Sequence, residues 1–459
     1  MPHRDEGPTC VALASGLLHE PPPGRLPILD RGAVGLRDVT CFRKGQTLHN
    51  PDTERPAATA PRRSSTPMKF DSRSPRSWAV FLAIGSNVVL VALLARLMHL
   101  LGMRRRRRPR LVLHSHEFAG NVRALADFAP PDALAQWDVR FLYLAPEKFR
   151  AHQHQSVRPL LALRPWHLLW AAHADALVCT HGLGVLGPLP RVCPDLRTID
   201  VWHGIGFKPR DQYVRKTRGF TQLFLPSPWV EELYRDMGVP AERMKVTGHG
   251  SWDPLVRERD CGAILRDYGL EGEYRARILV APTWTHGELW KQREVFGCAW
   301  EDVSDELADW ATRHDVQLIF RSHLNAGKGL ITAPANVANR PFSEYPLTYD
   351  LLKVTDVLVT DWSSIATDFL PSRRPIIYLD VPPPFRPGYL RDADRVGPRA
   401  ASTQELTEAL ELATYDPAAI ARQYREEQQA LLDKVCSGYA DGSATERYLN
   451  ELQALVGPA

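Results

Sequence analysis

The sequence has few cysteines and no pattern of disulfides or metal ligands. Its 459 residues include seven cysteines, an odd number spread far apart along the chain, and no CxxC pair occurs. This spacing argues against a disulfide framework and against a structural zinc site. A reducing cytoplasm is the simplest compartment for the folded part of the chain.

Several nucleotide-binding and hydrolytic signatures are also missing. No GxGxxG follows a strand, no GxxxxGK[ST] P-loop occurs, and there is no GxSxG nucleophile elbow. The histidine-rich stretches "HSHE" (114–117) and "HQH" (152–154) lack a surrounding set of metal ligands, and "DAD" (392–394) lies in a Pro/Gly-rich loop. We therefore predict no metal ion and no resident cofactor.

Charge is nearly balanced over the whole chain but not locally. The net charge is +4, whereas residues 104–108 are five consecutive arginines. No aromatic residues alternate with these arginines, and an apolar stretch precedes them. Anionic membrane lipid, and not nucleic acid, is therefore the expected partner of this run.

The N-terminal part of the chain divides into two segments. Residues 1–67 are rich in Pro, Arg, Ser and Thr without a period, which predicts a disordered tail or an over-extended start before Met68. Residues 68–108 are predicted to be a membrane anchor with a polybasic flank, because residues 78–95 contain eighteen positions without a charge. Two arrangements stay open here, a spanning helix and a helix lying on the membrane surface. The positive charge follows the helix, so the positive-inside rule predicts a cell-membrane location with the main domain on the cytoplasmic side.

The rest of the chain alternates short apolar runs with longer helical or polar segments. The runs occupy residues 110–115, 139–144, 176–180, 197–202 and 222–227, and then 276–284, 316–323, 356–364 and 374–381. This alternation is typical of parallel, doubly wound α/β sheets. We predict two Rossmann-like domains, 109–256 and 257–440, and a C-terminal helix within 441–459. Helical stretches are expected at residues 402–413, 417–435 and 444–455.

Distinctive polar motifs follow the ends of these strands, where open α/β sheets bind ligands. In "TIDVWHGIGFK" (198–208), Gly204 allows close approach of a ligand to the backbone. His203 is a candidate general base near neutral pH, and Lys208 is a candidate phosphate ligand. The alternative is a glycine turn with a structurally bonded histidine.

A second motif, "TGHGSWD" (247–253), marks another strand-to-helix turn. Gly248 would admit a phosphate to a helix N-terminus, and Asp253 would cap or orient a helix. The alternative is a plain linking turn between domains.

Two motifs of the second half supply hydrogen-bond donors. In "APTWTHGE" (281–288), Thr283 is a candidate ligand of a nucleotide or phosphate. In "FRSH" (320–323), Arg321 and His323 end a buried strand. An arginine suits bidentate phosphate binding, and the neighbouring imidazolium adds a donor.

The motif "VTDWSSIATDFL" (359–370) carries the strongest single signal. A strand runs into Asp361, and Ser363 and Ser364 open a helix. Two hydroxyl groups beside free backbone N–H groups favour phosphate binding. The alternative is simple N-capping, for which one serine suffices.

Taken together and in this order, these motifs and the following "RRPIIYLD" resemble the CDP-glycerol:glycerophosphate glycerophosphotransferase family of teichoic-acid primases and polymerases. The resemblance covers roughly residues 110–440. Three motifs depart from the family pattern: "GHGSWD" lacks a proline and an arginine, Thr285 replaces a common arginine, and Trp362 replaces the usual tyrosine. The implied donor therefore extends to ribitol phosphate or another polyol or sugar phosphate.

The resemblance implies a GT-B fold, with two Rossmann-like domains and the active site in the cleft between them. It also implies transfer of glycerol phosphate from CDP-glycerol to a priming or growing acceptor with release of CMP. By motif, His203 would be the general base, and Ser363 and Ser364 would bind donor phosphate. Arg321 and His323 would neutralise the donor pyrophosphate, with His323 as a second catalytic candidate. Lys208, Gly204, Gly248 and Asp253 would bind substrate, and Thr283 and Asp361 would complete the donor site.

The sequence therefore predicts a membrane-associated phosphotransferase of the CDP-glycerol type that acts in cell-envelope polymer synthesis. Its expected partners are a CDP-glycerol or other CDP-polyol donor, a lipid-linked or polymeric acceptor, and anionic membrane lipids. A GT-B glycosyltransferase or epimerase using a UDP-sugar remains an alternative, because the serine pair and the Arg-His pair fit either donor. A non-catalytic scaffold for envelope assembly is a further alternative from a different class.

Overall fold

The computed structural model describes residues 75–102, 108–152, 157–207, 217–283, 294–321, 334–383 and 388–457, all within one compact unit, Ser64–Ala459. The predicted tail, 1–67, lies outside the described residues, as do parts of the predicted anchor segment. Lys208 and His323 also lie outside them.

The first sheet contains seven parallel strands. Its strands are β1 (Arg110–His114), β2 (Asp138–Tyr143), β3 (Arg158–Leu161), β4 (Ala176–Cys179), β5 (Arg197–Asp200), β6 (Gln222–Leu225) and β7 (Met244–Val246). Their order across the sheet is β3-β2-β1-β4-β5-β6-β7. The order reverses between β1 and β4, and this reversal opens a crevice at the carboxyl ends of the strands.

The second sheet repeats this arrangement with six parallel strands. Its strands are β8 (Ala276–Val280), β11 (Val316–Phe320), β12 (Val337–Asn339), β13 (Val357–Thr360), β14 (Ile376–Leu379) and β15 (Arg399–Ala400), in the order β12-β11-β8-β13-β14-β15. The order reverses between β8 and β13. A separate antiparallel hairpin is formed by β9 (Glu294–Val295) and β10 (Cys298–Ala299).

Helices connect the strands and cover both faces of each sheet. In the first half they are α1 (Pro75–Leu100), α2 (Gly120–Phe128), α3 (Pro131–Leu134), α4 (Pro146–Ala151), α5 (Pro165–Ala172), α6 (Leu189–Val192), α7 (Pro228–Asp236) and α8 (Asp253–Val256). The remaining helices are α9 (Cys261–Asp267), α10 (Trp300–Arg313), α11 (Thr348–Val354), α12 (Ile365–Phe369), α13 (Thr403–Tyr415), α14 (Pro417–Gln423), α15 (Arg425–Cys436) and α16 (Ala444–Val456). Several begin at a capping residue followed by proline, as in α7, where Ser227 accepts from the Val230 amide.

The predicted α/β class with two parallel sheets is confirmed. Central strands are buried on both faces, which is why they were recognisable as continuous apolar runs. Three strands at sheet edges, β3, β12 and β15, were missed because they are only two to four residues long and each contains a polar residue. The single helical stretch predicted for 417–435 is two helices, α14 and α15, separated at Tyr424.

The last helices return to the first sheet. Val435 of α15 belongs to the apolar core on one face of that sheet, and Tyr448 and Leu449 of α16 belong to the core on the other face. The packing of these helices on the first sheet ties the second half of the chain to the first. The predicted domain boundaries, 109–256, 257–440 and 441–459, stay a prediction.

Candidate active site

A cavity of about 450 Å³ lies where the carboxyl ends of the two sheets face each other. Residues that follow β1, β4, β5 and β7 line one wall, among them Ser115, His116, Thr180, His181, His203 and Ser251. Residues that follow β8, β11 and β13 line the other, among them Pro282, Arg321, Ser363, Ser364 and Asp368. The two reversals of strand order therefore share one cleft.

His203 stands at the end of β5 on a strained piece of backbone. Trp202 has a φ of +59°, a conformation that side chains other than glycine rarely adopt and that clusters at functional sites. His203 Nδ1 lies 2.9 Å from the carbonyl oxygen of Thr180. Because a carbonyl only accepts, Nδ1 carries the proton and the lone pair of the neutral ring is on Nε2. This is the tautomer that a general base requires.

Two further histidines extend from His203 along the same wall. The rings of His181 and His203 are stacked with centroids 4.1 Å apart, and His116 lies 4.6 Å from His181. The hydroxyl of Thr180 lies 2.6 Å from His181 Nδ1 and 2.8 Å from Ser115 Oγ. Packing and hydrogen bonds thus hold the ring of His203 in place.

Asn121 of α2 joins the two glycine-containing loops of the first half. Its amide nitrogen donates to the carbonyls of Val201 (2.7 Å) and Trp202 (2.9 Å). Its amide oxygen accepts from the backbone of Ser251 at 2.8 Å. Asn121 is buried, so these bonds set the position of the backbone that carries His203.

The loop after His203 packs directly on the serine pair of the second half. A Cβ at Gly206 would lie 3.1 Å from the Cβ of Ser364, and one at Gly204 would lie 3.3 Å from its Oγ. The hydroxyl of Thr367 donates to the carbonyl of Ile205. A side chain at either position would crowd Ser364, and Gly204 also has a φ of +147°, which favours glycine.

The serine pair does not function mainly as a helix cap. Ser364 occupies the N-cap position of α12, but its side chain makes no capping hydrogen bond. The Ser363 hydroxyl accepts only a long bond of 3.4 Å from the Ile365 amide. Both serines line the cavity, and a serine hydroxyl can donate to an oxyanion.

Arg321 brings a buried cation to the same cavity. Its side chain is 6% exposed, and it donates to the carbonyls of Arg340 (3.3 Å) and Tyr345 (3.0 Å) and to the Thr348 hydroxyl (2.8 Å). Burial lowers the pKa of its guanidinium to about 10, which still leaves it charged at neutral pH. Within the described residues Arg321 has no carboxylate partner, so an anion in the cleft would compensate its charge.

Asp361 and Thr283 bind each other beside the cavity. The Asp361 carboxylate accepts a hydrogen bond from the Thr283 amide at 2.6 Å. Burial of this carboxyl group raises its pKa to about 6. This bond fixes the start of the segment after β8 against the segment after β13. The geometry gives both residues a positioning task next to the serine pair and Arg321.

Asp368 is a cavity residue that the sequence motif contained but to which no role was assigned. It lies one helical turn after Ser364, and its carboxyl faces the cleft. Burial raises its pKa to about 7. A carboxyl group that titrates near neutral pH is suited to exchange a proton within a site.

We expect Asp368 to make folding stability depend on pH. Below about pH 4 its carboxyl is neutral in both folded and unfolded chains, and its favourable contribution is lost as pH rises through about 7. Asp368→Asn cannot ionise, so its free energy of unfolding relative to the wild type should be about 2 kcal/mol higher at pH 8 than at pH 4. This difference is smaller than the full pKa shift implies, because the carboxyl is partly open to cavity water. Urea unfolding of both proteins between pH 4 and 8 measures this difference. The exposed Asp309, replaced by asparagine, is the control, and parallel stability curves for wild type and Asp368→Asn would contradict the expectation.

Gly248 and Asp253 lie away from this constellation. The Asp253 carboxylate is fully buried and accepts from the amides of Ala444 and Thr445, at 3.0 and 2.8 Å, and from the Thr445 hydroxyl at 2.7 Å. Gly248 has a φ of +91° and is enclosed by the chain around α16. These contacts hold α16 on the first half, so the orienting task considered for Asp253 matches its position better than substrate contact does.

The described residues bring His203, Arg321, Ser363 and Ser364 to one cavity, and Gly204 packs against Ser364. The sequence reading missed Asn121, His116, His181 and Asp368. The stretch "HSHE" lacks a set of metal ligands, and its position directly after β1 is the signal that points to His116. Within the described ranges, no group of three or more His, Cys, Asp or Glu side chains is arranged to hold a metal ion.

Comparison with known proteins gives a family match and a structural match. The family model described as "CDP-Glycerol:Poly(glycerophosphate) glycerophosphotransferase" matches residues 103–453. A teichoic acid poly(glycerol phosphate) polymerase of Staphylococcus epidermidis is 24% identical over an alignment of 281 residues that covers 58% of this chain and 37% of that protein. The chain thus aligns with little more than a third of the length of this curated relative.

Solved structures of the wall teichoic acid polymerase TagF share the fold. One has a TM-score of 0.62 at 17% identity and covers 83% of this chain and 98% of the solved chain. A TagF variant soaked with CDPG has the same TM-score at 16% identity, with the same coverage. The predicted GT-B arrangement of two Rossmann-like halves is confirmed by this likeness.

Proposed function

Because the chain belongs to the CDP-glycerol:poly(glycerophosphate) glycerophosphotransferase family, we propose that it transfers glycerol phosphate, or a related polyol phosphate, from a CDP-activated donor to an acceptor hydroxyl. The observation that carries the proposal is the pairing across one cavity of His203, with its lone pair on Nε2, and the buried cation Arg321. A base and a cation on opposite walls are what in-line transfer of a phosphoryl group needs.

The reaction follows from these positions. The oxygen of the acceptor hydroxyl attacks the phosphorus that bears the polyol, and His203 Nε2 takes the hydroxyl proton. The bond from this phosphorus to the bridging oxygen breaks, and its electron pair leaves with CMP. Arg321 offsets the negative charge that grows on the diphosphate, and the hydroxyls of Ser363 and Ser364 donate to its oxygens.

Neighbouring residues hold His203 and the donor-binding residues in position. Asn121 holds the backbone before His203, and the Asp361–Thr283 bond holds the donor wall. Two residues outside the described ranges complete the proposal: Lys208 as a phosphate ligand, and His323, which follows Arg321 by two residues in sequence, as a second donor.

We further propose that the acceptor is a cell-envelope polymer or its lipid-linked primer at the cytoplasmic face of the cell membrane. One helix of the described residues, Trp78–Leu100, is long and apolar enough to cross a membrane. The five arginines that follow it in sequence support the cytoplasmic side. The polymerase from Staphylococcus epidermidis and the TagF structures support an acceptor of the teichoic-acid type.

A donor panel tests the reaction. Full-length protein in detergent is incubated with CDP-glycerol, CDP-ribitol or a UDP-sugar, each with and without a soluble glycerol-phosphate acceptor, and released nucleotides are separated by chromatography. We expect CMP from a CDP-polyol, with release stimulated by acceptor. Release of UDP from the UDP-sugar alone, or no release from any donor by folded protein, would overturn the proposal.

A further inference from the structure

One stripe of α1 is part of the apolar core of the first half. Ile84, Val88, Val91, Ala92 and Ala95 are buried there, at the spacing of a single helical face. Two polar contacts add to this packing. The Asn87 amide donates to the Leu163 carbonyl at 3.0 Å, and His99 Nδ1 lies 3.0 Å from Asp195 Oδ2.

The remaining faces of α1 are equally apolar but are exposed. Ordinary helices on a membrane surface turn a charged face to water, whereas Arg96 is the one charged residue of α1 between Trp78 and Leu100. Its exposed apolar side chains are Trp78, Phe81, Leu82, Val89, Leu90, Leu93, Leu94, Leu97 and Leu100. Monomeric soluble proteins rarely expose a contiguous set of this kind.

Exposed apolar residues also lie on elements that pack against α1. Trp166, at the start of α5, is 77% exposed, and α5 packs along α1. Val185 and Pro188 line a groove together with Leu90 of α1. The apolar face is defined as the exposed apolar side chains of α1 from Trp78 to Leu100, together with Trp166 and the turn 184–188.

Basic residues accompany the apolar face. Arg96 of α1, Arg164 beside Trp166 and Arg191 of α6 are exposed. In sequence, the arginines at 104–108 follow α1 after three residues. An exposed tryptophan and flanking arginines are the side chains that the headgroup region of an anionic bilayer attracts.

We propose that the apolar face docks this protein on an anionic bilayer with α1 lying in the membrane plane, the folded domain supplying the polar side that the helix lacks. The 26 residues of α1 would be long enough to cross a bilayer, at about 39 Å. If α1 crossed the bilayer alone, the side chains from Val88 to Ala95 would leave the apolar core. If α1 kept its contacts while crossing, Asn87 and Asp195 would enter the hydrocarbon layer. Both changes cost free energy. Docking in the plane keeps these contacts and covers the exposed apolar side chains.

This orientation also places the cleft beside the membrane. The segment after β4 lines the cavity with Thr180 and His181, and only four residues later Val185 lines the groove against α1. Four residues reach at most about 14 Å. An acceptor hydroxyl carried at headgroup depth would thus arrive on the His203 wall, a consequence that rests on the proposed function.

Flotation of full-length protein with vesicles tests the docking. We expect the wild type to float with vesicles containing anionic phosphatidylglycerol and less with pure phosphatidylcholine. Leu90→Glu and Trp166→Ser should each lower the vesicle partition coefficient at least about tenfold, since each removes the burial of one large apolar side chain. Leu412→Glu, at an exposed leucine of α13, is the matched control and should float as the wild type does.

Topology and turnover separate the remaining outcomes. A tag on residue 1 should be digested by protease added outside the vesicles, and protection of the tag would show a spanning helix and overturn the proposal. Flotation unchanged by Leu90→Glu and Trp166→Ser, or a change only in dimer mass by light scattering, would also overturn it. CMP release with the soluble acceptor should persist in Leu90→Glu, so loss of flotation with normal turnover is distinct from failure of the proposed reaction.

Discussion

Replacing His203 by asparagine is expected to lower kcat for CMP release by about 10²–10⁴-fold, the usual contribution of a general base. The asparagine amide keeps a donor for the Thr180 carbonyl, which now accepts from His203 Nδ1 at 2.9 Å, so the loop should retain its shape. What is lost is the lone pair on Nε2. Chromatographic measurement of CMP, with acceptor saturating, gives kcat, and calorimetric titration gives the affinity for the donor.

The donor affinity of His203→Asn should stay within about threefold of the wild type, because the base acts on the acceptor. His173→Asn is the matched control, since His173 binds its own helix through the Leu169 carbonyl at 3.0 Å. A kcat of His203→Asn close to that of His173→Asn would remove His203 from the chemical step. The scaffold alternative would instead be favoured by folded wild-type protein that releases no CMP from any donor.

Replacing Arg321 by lysine is expected to lower kcat/KM for the donor by about 10²–10³-fold, the range seen when one charge-stabilising donor is removed. The planar guanidinium binds two carbonyls and the Thr348 hydroxyl while facing the cavity, and an ammonium group cannot reproduce this fork. The positive charge is retained, so the measurement separates geometry from charge. Initial rates of CMP release over a range of CDP-glycerol concentrations give kcat/KM.

Arg374→Lys provides the matched control for Arg321→Lys. Arg374 also donates to two backbone carbonyls of the second half, those of Lys353 (2.9 Å) and Thr355 (2.5 Å), but it is not a residue of the cavity wall. Both variants should lose some thermal stability, whereas only Arg321→Lys should lose donor turnover. Equal turnover in the two variants would contradict a role for Arg321 at the donor.

Much of the site could be predicted from local sequence. His203, Arg321 and the serine pair each follow a buried apolar strand, and the carboxyl ends of parallel strands are where α/β sheets bind ligands. His116, His181 and Asn121 were missed because a histidine or asparagine in isolation has many structural uses. The hydrogen bonds of Asp253 could not be predicted from local sequence, because all three join it to residues about 190 positions further along the chain.

The sequence by itself determined the elements and their class. Buried β-branched runs with helices between them are typical of parallel sheets. The glycines at 204 and 206 predict that another part of the molecule or a ligand lies close to this backbone, without identifying it. Tertiary structure alone decided that this neighbour is Ser364 and that Arg321 shares a cavity with His203. It also decided which stripe of α1 is covered. A helix that is apolar on every side carries no local preference for one face, so only packing against α5 and α6 distinguishes the buried stripe from the exposed one.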